Sequence, residues 1–210
     1  TAVMRAGDRR RFDGEIHLVP PQGISVISDI DDTVKISEVT DRRNLLRNTF
    51  LLDFAPAAGM AELYNSWAQE DVSFHFVSSS PWQLYAPLQE FLDDSGFPWS
   101  TFSLKDVRFR DETLFNLFKK GTETKPAVIE DILATYPNRQ FVLVGDSGEQ
   151  DPEVYSALLQ KYPDRIRSAY IRNVTGESAD NDRFTAIFGD IDGNRWTLFE
   201  DPSSLTLPSP

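Results

Sequence analysis

Ile24-Ser25-Val26-Ile27-Ser28-Asp29-Ile30-Asp31-Asp32-Thr33 opens with a short β-branched run and ends in a cluster of oxygen-bearing side chains. Pro20, Pro21 and Gly23 break the chain before it, so 24–27 is expected to be a buried strand and 28–33 the turn that leaves it. Two later stretches share the pattern. Ser73-Phe74-His75-Phe76-Val77 runs into Ser78-Ser79-Ser80-Pro81, and Phe141-Val142-Leu143-Val144 runs into Gly145-Asp146-Ser147-Gly148. Each is a buried-strand pattern emptying into polar residues. Helical spacing fills the intervals: Met60, Leu63, Tyr64 and Trp67 within 59–69, then 82–93, and Val128, Ile129, Ile132 and Leu133 within 125–136. Pro126 falls in the first turn of the last of these, where proline is tolerated. A further helix is expected over 153–162, and strands near Phe102–Leu104 and over 166–171. Strands alternating with helices imply an α/β fold, a doubly wound parallel sheet with helices on both faces.

The rest of the chain divides around this core, expected over 24–175. Residues 1–23 read as a polar arm, with a possible edge strand over Phe12–Val19 where Ile16 and Leu18 share one face. Phe184–Phe188 and Trp196–Phe199 read as a small C-terminal β-hairpin extension closed at Asp192-Gly193, a favoured tight-turn pair. The tail from Pro202 to Pro210 is expected to be disordered at its end. A start at Thr1 rather than Met leads to the expectation that an upstream segment, with any targeting signal, has been removed.

Composition removes several chemistries. The 210 residues contain no cysteine, which excludes disulfide scaffolds, thiolate nucleophiles and Cys-based zinc sites. Two histidines, His17 and His75, argue against multi-histidine metal sites and His-based triads. A net charge of -12 argues against a dedicated nucleic-acid binder, which needs clustered cations. No apolar run is long enough for a transmembrane segment.

In open parallel sheets, ligands bind beyond the carboxyl ends of the strands. Here those ends carry Asp29 and Asp31, Ser78 and Ser79, and Asp146 with Asp151 nearby; Lys125 opens a helix expected to start at the same edge. Two close carboxylates, a third carboxylate, hydroxyls with adjacent amides and an ammonium suit a phosphoryl group plus a hard divalent cation. Mg2+ favours one or two carboxylates, several waters and substrate phosphate.

This constellation resembles the haloacid dehalogenase superfamily of aspartate-nucleophile phosphatases. Asp29-x-Asp31-x-Thr33, the strand ending in Ser78, Lys125, and the acidic strand end Gly145-Asp146-Ser147-Gly148-Glu149-Gln150-Asp151 occur in that superfamily's order. Val26 to Lys35, Ser78 to Tyr85, Val144 to Glu153 and Tyr170 to Val174 are similar, more narrowly, to the catalytic domain of the actin-patch-type phosphatidate phosphatases. The resemblance implies Mg2+-dependent hydrolysis of phosphatidate to diacylglycerol and phosphate through an aspartyl-phosphate. It makes Asp29 the nucleophile and a metal ligand. Asp31 becomes the acid and then the base, its backbone carbonyl binding the metal. Ser78, Ser79 and Lys125 hold the phosphoryl oxygens, and Asp146 ligates the metal. Asp151 either holds a metal-bound water or caps the following helix.

Other residues invite plainer readings. Ser80 before Pro81 reads as a helix cap, His75 as a core histidine, His17 as surface, and Asp190-Ile191-Asp192 as turn residues despite its likeness to the nucleophile motif. The implied partner is a phospholipid held at a membrane surface; protein partners are not indicated. Arg42, Arg43 and Arg47, interleaved with Leu45, Leu46, Phe50, Leu51 and Leu52, either face lipid as a flap or contribute core residues and solvated cations. Trp82 and Tyr85 are expected to add an aromatic wall. The short span between Asp31 and Ser78 leaves no room for a large cap domain. Alternatives are a phosphatase of a soluble phosphomonoester or phosphopeptide, a non-catalytic receiver-like phosphoacceptor, and an inactive lipid-binding module.

Overall fold

A computed structural model of the chain describes residues 16–36, 54–105 and 125–208. Six strands form one sheet, every neighbouring pair parallel: β1 (Gly23–Ser28), β4 (Ser73–Pro81), β5 (Ser100–Lys105), β6 (Arg139–Asp146), β7 (Ile166–Arg172) and β8 (Trp196–Phe199), in spatial order β5-β4-β1-β6-β7-β8. β2 (Lys35–Ile36) and β3 (Ala55–Pro56) make a small separate antiparallel pair. The helices are α1 (Met60–Ala68), α2 (Tyr85–Asp94), α3 (Lys125–Thr135), α4 (Asp151–Lys161) and α5 (Asp182–Phe188).

Strand pleating explains why both faces are covered. Successive side chains point to opposite faces, so Val142 and Val144 of β6 join one core while Phe141 and Leu143 join the other. The first core takes Met60, Tyr64 and Trp67 from α1 and Leu88 and Phe91 from α2. The second takes Ile129 and Leu133 from α3, Tyr155, Leu158 and Leu159 from α4, and Phe184 and Phe188 from α5. All four of these β6 residues are fully buried, which is why that run is uniformly apolar rather than alternating. The chain runs outward from β1 to β4 and β5, then returns to lay β6 on the other side of β1. β1 and β6 therefore flank the topological switch point, where a doubly wound sheet opens its ligand crevice.

Two terminal expectations are corrected. The residues expected as a C-terminal hairpin form α5 followed by β8, which joins β7 in parallel with Ala169 opposite Trp196. Phe184 and Phe188 are four apart, and on a helix that spacing puts both rings on one face. Trp196 stacks on Phe188 with 4.3 Å between ring centroids, and on Phe184 at 5.8 Å. Asn181 caps the helix by accepting from Phe184 N. Asp192 does not close a hairpin; it accepts from Asn194 N and caps a single 3-10 turn at the amino end of β8. Residues 16–19 are not a strand, and the remainder of that expected edge strand lies outside the described residues. The tail over 202–208 packs on the core: Leu205 is buried and the Tyr170 hydroxyl donates to Thr206 O. Residues 209–210, the end expected to be disordered, lie outside the described residues.

Candidate active site

Asp29 stands one residue beyond β1, and its N–H still donates to Val144 O at 2.9 Å. Its backbone thus stays anchored to β6 as the chain leaves the sheet. Asp146 is the last residue of β6, and Asp151 the first of α4. One oxygen from each of Asp29, Asp146 and Asp151 lies within 4.8 Å of the others, and all three residues are buried. Gly145 permits this approach: a Cβ there would fall 2.2 Å from Asp151 Oδ2.

The Lys125 ammonium reaches into the group from the first residue of α3. It lies 2.8 Å from Asp29 Oδ1, pairs with Asp151 Oδ1, and has Glu149 Oε2 at 3.9 Å. Burial pulls against its charge, but Asp151 and Asp29 prevail and hold its pKa well above the ordinary value. The carboxylates are under-compensated by this one cation. Burial raises the Asp29 pKa well above the usual carboxylate value against the pull of Lys125. Burial, then Asp151 and Glu149, pushes Asp146 up to about 7. Asp29 Oδ2 and Asp146 Oδ2 are buried without a hydrogen-bond partner. A buried carboxylate oxygen left unpaired is costly, and these two belong to the same trio of side chains. Hard oxygen donors carrying excess negative charge fit a divalent cation such as Mg2+.

Asp151 behaves differently. Its Oδ1 is paired with Lys125 and its Oδ2 accepts from Asp146 N at 3.3 Å. It does not cap α4, whose N-cap position is Gln150.

Asp31 makes a separate set of contacts. Its Oδ2 accepts from Ser78 Oγ and Ser80 Oγ, each at 3.2 Å, and its Oδ1 is 2.6 Å from Lys35 Nζ. β4 continues as strand through Pro81, so Ser78 and Ser79 sit on its last stretch rather than beyond it. Ser80 is not the helix cap expected of it. Pro81 occupies that position, before a 3-10 turn over Trp82–Leu84, while the Ser80 hydroxyl turns to Asp31. Ser78 Oγ also accepts from Ser80 N at 3.0 Å. Asp32 takes φ 55, a left-handed turn conformation, and Arg172 at the end of β7 donates to its carbonyl at 2.7 Å.

Ser78, Ser79 and Lys125 line a cavity of about 310 Å³ with Val77, Ser103, Leu104, Lys105 and Val128. Trp82 and Tyr85 are partly exposed just after β4, with ring centroids 5.8 Å apart. Arg42, Arg43, Arg47 and their apolar neighbours lie outside the described residues. His75 is in the core between Ser25 Oγ and Thr101 Oγ1, while His17 is exposed and stacked on Trp99. Asp190–Asp192 precedes the amino end of β8, at the edge opposite Asp29.

Two contributors escape a reading of motifs. Tyr64, fully buried on α1, donates to Ser28 Oγ at 2.8 Å, and Ser28 Oγ donates to Asp29 O at 2.7 Å. Helical spacing marks Tyr64 only as a core residue; its hydroxyl has no signature. Glu149 adds a further carboxylate beside Lys125, within a stretch whose flanking aspartates draw attention first.

The model of the phosphatidate phosphatase APP1 catalytic domain matches residues 24–173. The chain belongs to that family. The matched stretch begins in β1 and ends just past β7, so it holds Asp29, Asp31, Ser78, Ser79, Lys125, Asp146, Glu149 and Asp151. Phosphatidate phosphatase APP1 of Saccharomyces cerevisiae is 35% identical over 166 residues, 77% of this chain and 28% of that protein. An uncharacterized protein of Schizosaccharomyces pombe is 30% identical over 171 residues, covering 80% of this chain and 28% of its own length. This chain therefore spans little more than a quarter of either relative. Among solved structures, a chain of the Pnkp1/Rnl/Hen1 complex superposes with TM-score 0.54 at 13% identity, over 81% of this chain and 52% of that one. That likeness concerns the fold alone.

Proposed function

We propose that this chain is a Mg2+-dependent phosphatase that hydrolyses phosphatidate to diacylglycerol and phosphate through an aspartyl-phosphate on Asp29. The observation that carries the proposal is the pair of buried, unpartnered oxygens, Asp29 Oδ2 and Asp146 Oδ2, beside the Lys125 ammonium. Asp29 and Asp146 would hold the cation, with the Asp31 backbone carbonyl. Asp151, engaged by Lys125 and Asp146 N, keeps both in place from behind or holds a cation-bound water. When bound, the cation offsets charge on the phosphoryl oxygens and favours the ionised form of Asp29.

This chain's residues would carry the reaction in two displacements. An oxygen of Asp29 attacks phosphorus and the bond to the glycerol oxygen breaks. Asp31 gives its proton to that leaving oxygen, so diacylglycerol departs as a neutral alcohol. The Asp31 carboxylate then takes a proton from water. The water oxygen bonds to phosphorus, the bond to Asp29 breaks, and phosphate leaves. Ser78 Oγ, the Ser79 amide and Lys125 hold the non-bridging oxygens as charge moves through them. Ser78 already reaches Asp31 at 3.2 Å, which sets the proton donor beside the phosphate donors. An acid-base residue two positions after the nucleophile favours turnover over a stable phosphoacceptor. Retention of Asp29, Asp31 and Asp146 together argues against an inactive lipid-binding module.

Family membership supports phosphatidate as the substrate. Exposed Trp82 and Tyr85, just past the end of β4, supply amphipathic rings suited to a membrane interface. A net charge of -12 opposes an anionic bilayer, so soluble substrates belong in the same experiment. The test is a phosphate-release panel with added Mg2+: phosphatidate, lysophosphatidate, diacylglycerol pyrophosphate and soluble phosphomonoesters. Release highest from phosphatidate supports the proposal; release only from soluble esters keeps the mechanism and removes the substrate.

A further inference from the structure

We infer that Arg183, on α5 and beyond residues 24–173, is a positioning residue for the cation-binding loop. The inference rests on the cation site proposed above. Arg183 Nη1 donates to Ser147 O at 2.7 Å, and Nη2 donates to Glu149 O at 3.1 Å. One guanidinium therefore bridges two backbone carbonyls of the turn between Asp146 and Asp151. The fork geometry of arginine suits this, because its N–H groups diverge within one plane.

The first of these bonds matters most. Ser147 C=O and Gly148 N–H are the two ends of one peptide group. Its carbonyl accepts from Arg183 while its N–H donates to Asp146 Oδ1 at 2.7 Å. Glu149 N adds a second bond to the same oxygen at 3.1 Å. Arg183 thereby fixes the plane of the peptide that occupies Asp146 Oδ1, and Oδ2 is the oxygen left without a partner. A guanidinium on the carbonyl also polarises the peptide and strengthens its N–H as a donor. The loop has little slack: a Cβ on Gly148 would lie 3.1 Å from both Asp146 Oδ1 and Val174 Cγ2.

Arg183 is itself held. Nε lies 3.2 Å from Glu153 Oε1 on α4, and Nη1 lies 3.1 Å from Glu177 Oε2 in the β7–α5 connection. Neighbouring Phe184 is fully buried and stacks on Trp196. The segment expected as a peripheral hairpin thus delivers a side chain to the turn carrying Asp146.

The test compares Arg183→Met, Arg183→Lys and Trp196→Phe with the parent chain. Mg2+ and Mn2+ binding are measured by calorimetry without substrate, together with melting of the metal-free protein and Mg2+-dependence of phosphate release. Arg183→Met is expected to weaken cation binding about tenfold, the lower end for lost outer partners of a metal ligand. The Mg2+ needed for half-maximal activity should rise by the same factor, with kcat at saturating Mg2+ within about threefold of the parent. Arg183→Lys, which reaches one carbonyl at a time, should fall between and decides the matter if Arg183→Met does not fold. Trp196→Phe loosens packing under α5 but keeps the guanidinium; it should melt earlier with unchanged cation affinity. Unchanged affinity in both arginine variants, or an equal loss in Trp196→Phe, would overturn the inference. Absence of cation binding in the parent chain would instead overturn the proposed function and take this inference with it.

Discussion

Lys125 Nζ stands 2.8 Å from Asp29 Oδ1, with both side chains almost wholly buried, and it is also paired with Asp151. This ammonium holds together carboxylates that would otherwise repel. Lys125→Met should therefore lower stability by about 3–5 kcal/mol, the usual cost of stranding one side of a buried ion pair. Adding Asp151→Asn should recover a large share of that loss without restoring phosphate release. Urea unfolding and initial rates on the single and double variants check both halves.

Asp31 takes part in proton transfer under the proposed mechanism, so its loss should depend on the leaving group. Asp31→Asn keeps an oxygen for Ser78 and Ser80 but has no proton to give an alkoxide. Turnover of phosphatidate should fall by about 10²–10⁴. For p-nitrophenyl phosphate, whose leaving group needs no protonation, formation of the Asp29 adduct should fall far less. Single-turnover release of p-nitrophenol against steady-state phosphate separates the two steps. An equal loss in both would remove the acid role from Asp31.

Gly145 is required by space rather than by backbone torsion. Alanine there would drive a methyl to 2.2 Å from Asp151 Oδ2, and backbone must shift to relieve it. Gly145→Ala should cost about 1–3 kcal/mol by overpacking and weaken Mg2+ binding. Thermal melting and calorimetry read these outcomes. Parent-like values in both would contradict the close approach of Asp151.

His75 provides a pH signature away from the site. Burial, with a contribution from the Arg139 charge, lowers its pKa to about 4. The ordinary value is about 6.5, so the unfolded chain takes up this proton at a higher pH than the folded one. The neutral ring's contribution is complete above about pH 6.5 and is lost as pH falls toward 4. At about 1.4 kcal/mol per unit, the loss should reach roughly 2–3 kcal/mol by pH 4.5. His75→Asn should flatten that part of the stability–pH curve relative to the parent. Parallel curves for the two proteins would show that His75 titrates alike in both states.

How far the sequence carries follows from the range of the signals. β6 is legible because a doubly buried parallel strand reads as a continuous apolar run, and β1, despite its buried Ser25, because Ile24, Val26 and Ile27 are β-branched; each ends in residues no core would accept. Asp29, Asp31, Ser78, Lys125, Asp146 and Asp151 are legible as a set because one sheet edge gathers strand ends. α5 is misread because Phe184 and Phe188 lie an even number of residues apart. An interval of four satisfies both a strand face and a helix face, and only the distant Trp196 ring decides between them. Arg183 carries no motif, since its partners in the Asp146–Asp151 turn are backbone carbonyls, which every residue type supplies. Ser80 looks like a cap because the neighbouring proline suggests a helix start; its actual partner, Asp31, comes from another strand end.

The most direct measurement is phosphate release from phosphatidate in mixed micelles, by the parent chain and Asp29→Asn side by side, with Mg2+ and with the metal chelated. The account predicts release by the parent that needs Mg2+, and none above background from a folded Asp29→Asn. Release by Asp29→Asn at a rate near the parent's, or parent activity indifferent to chelation, would contradict it.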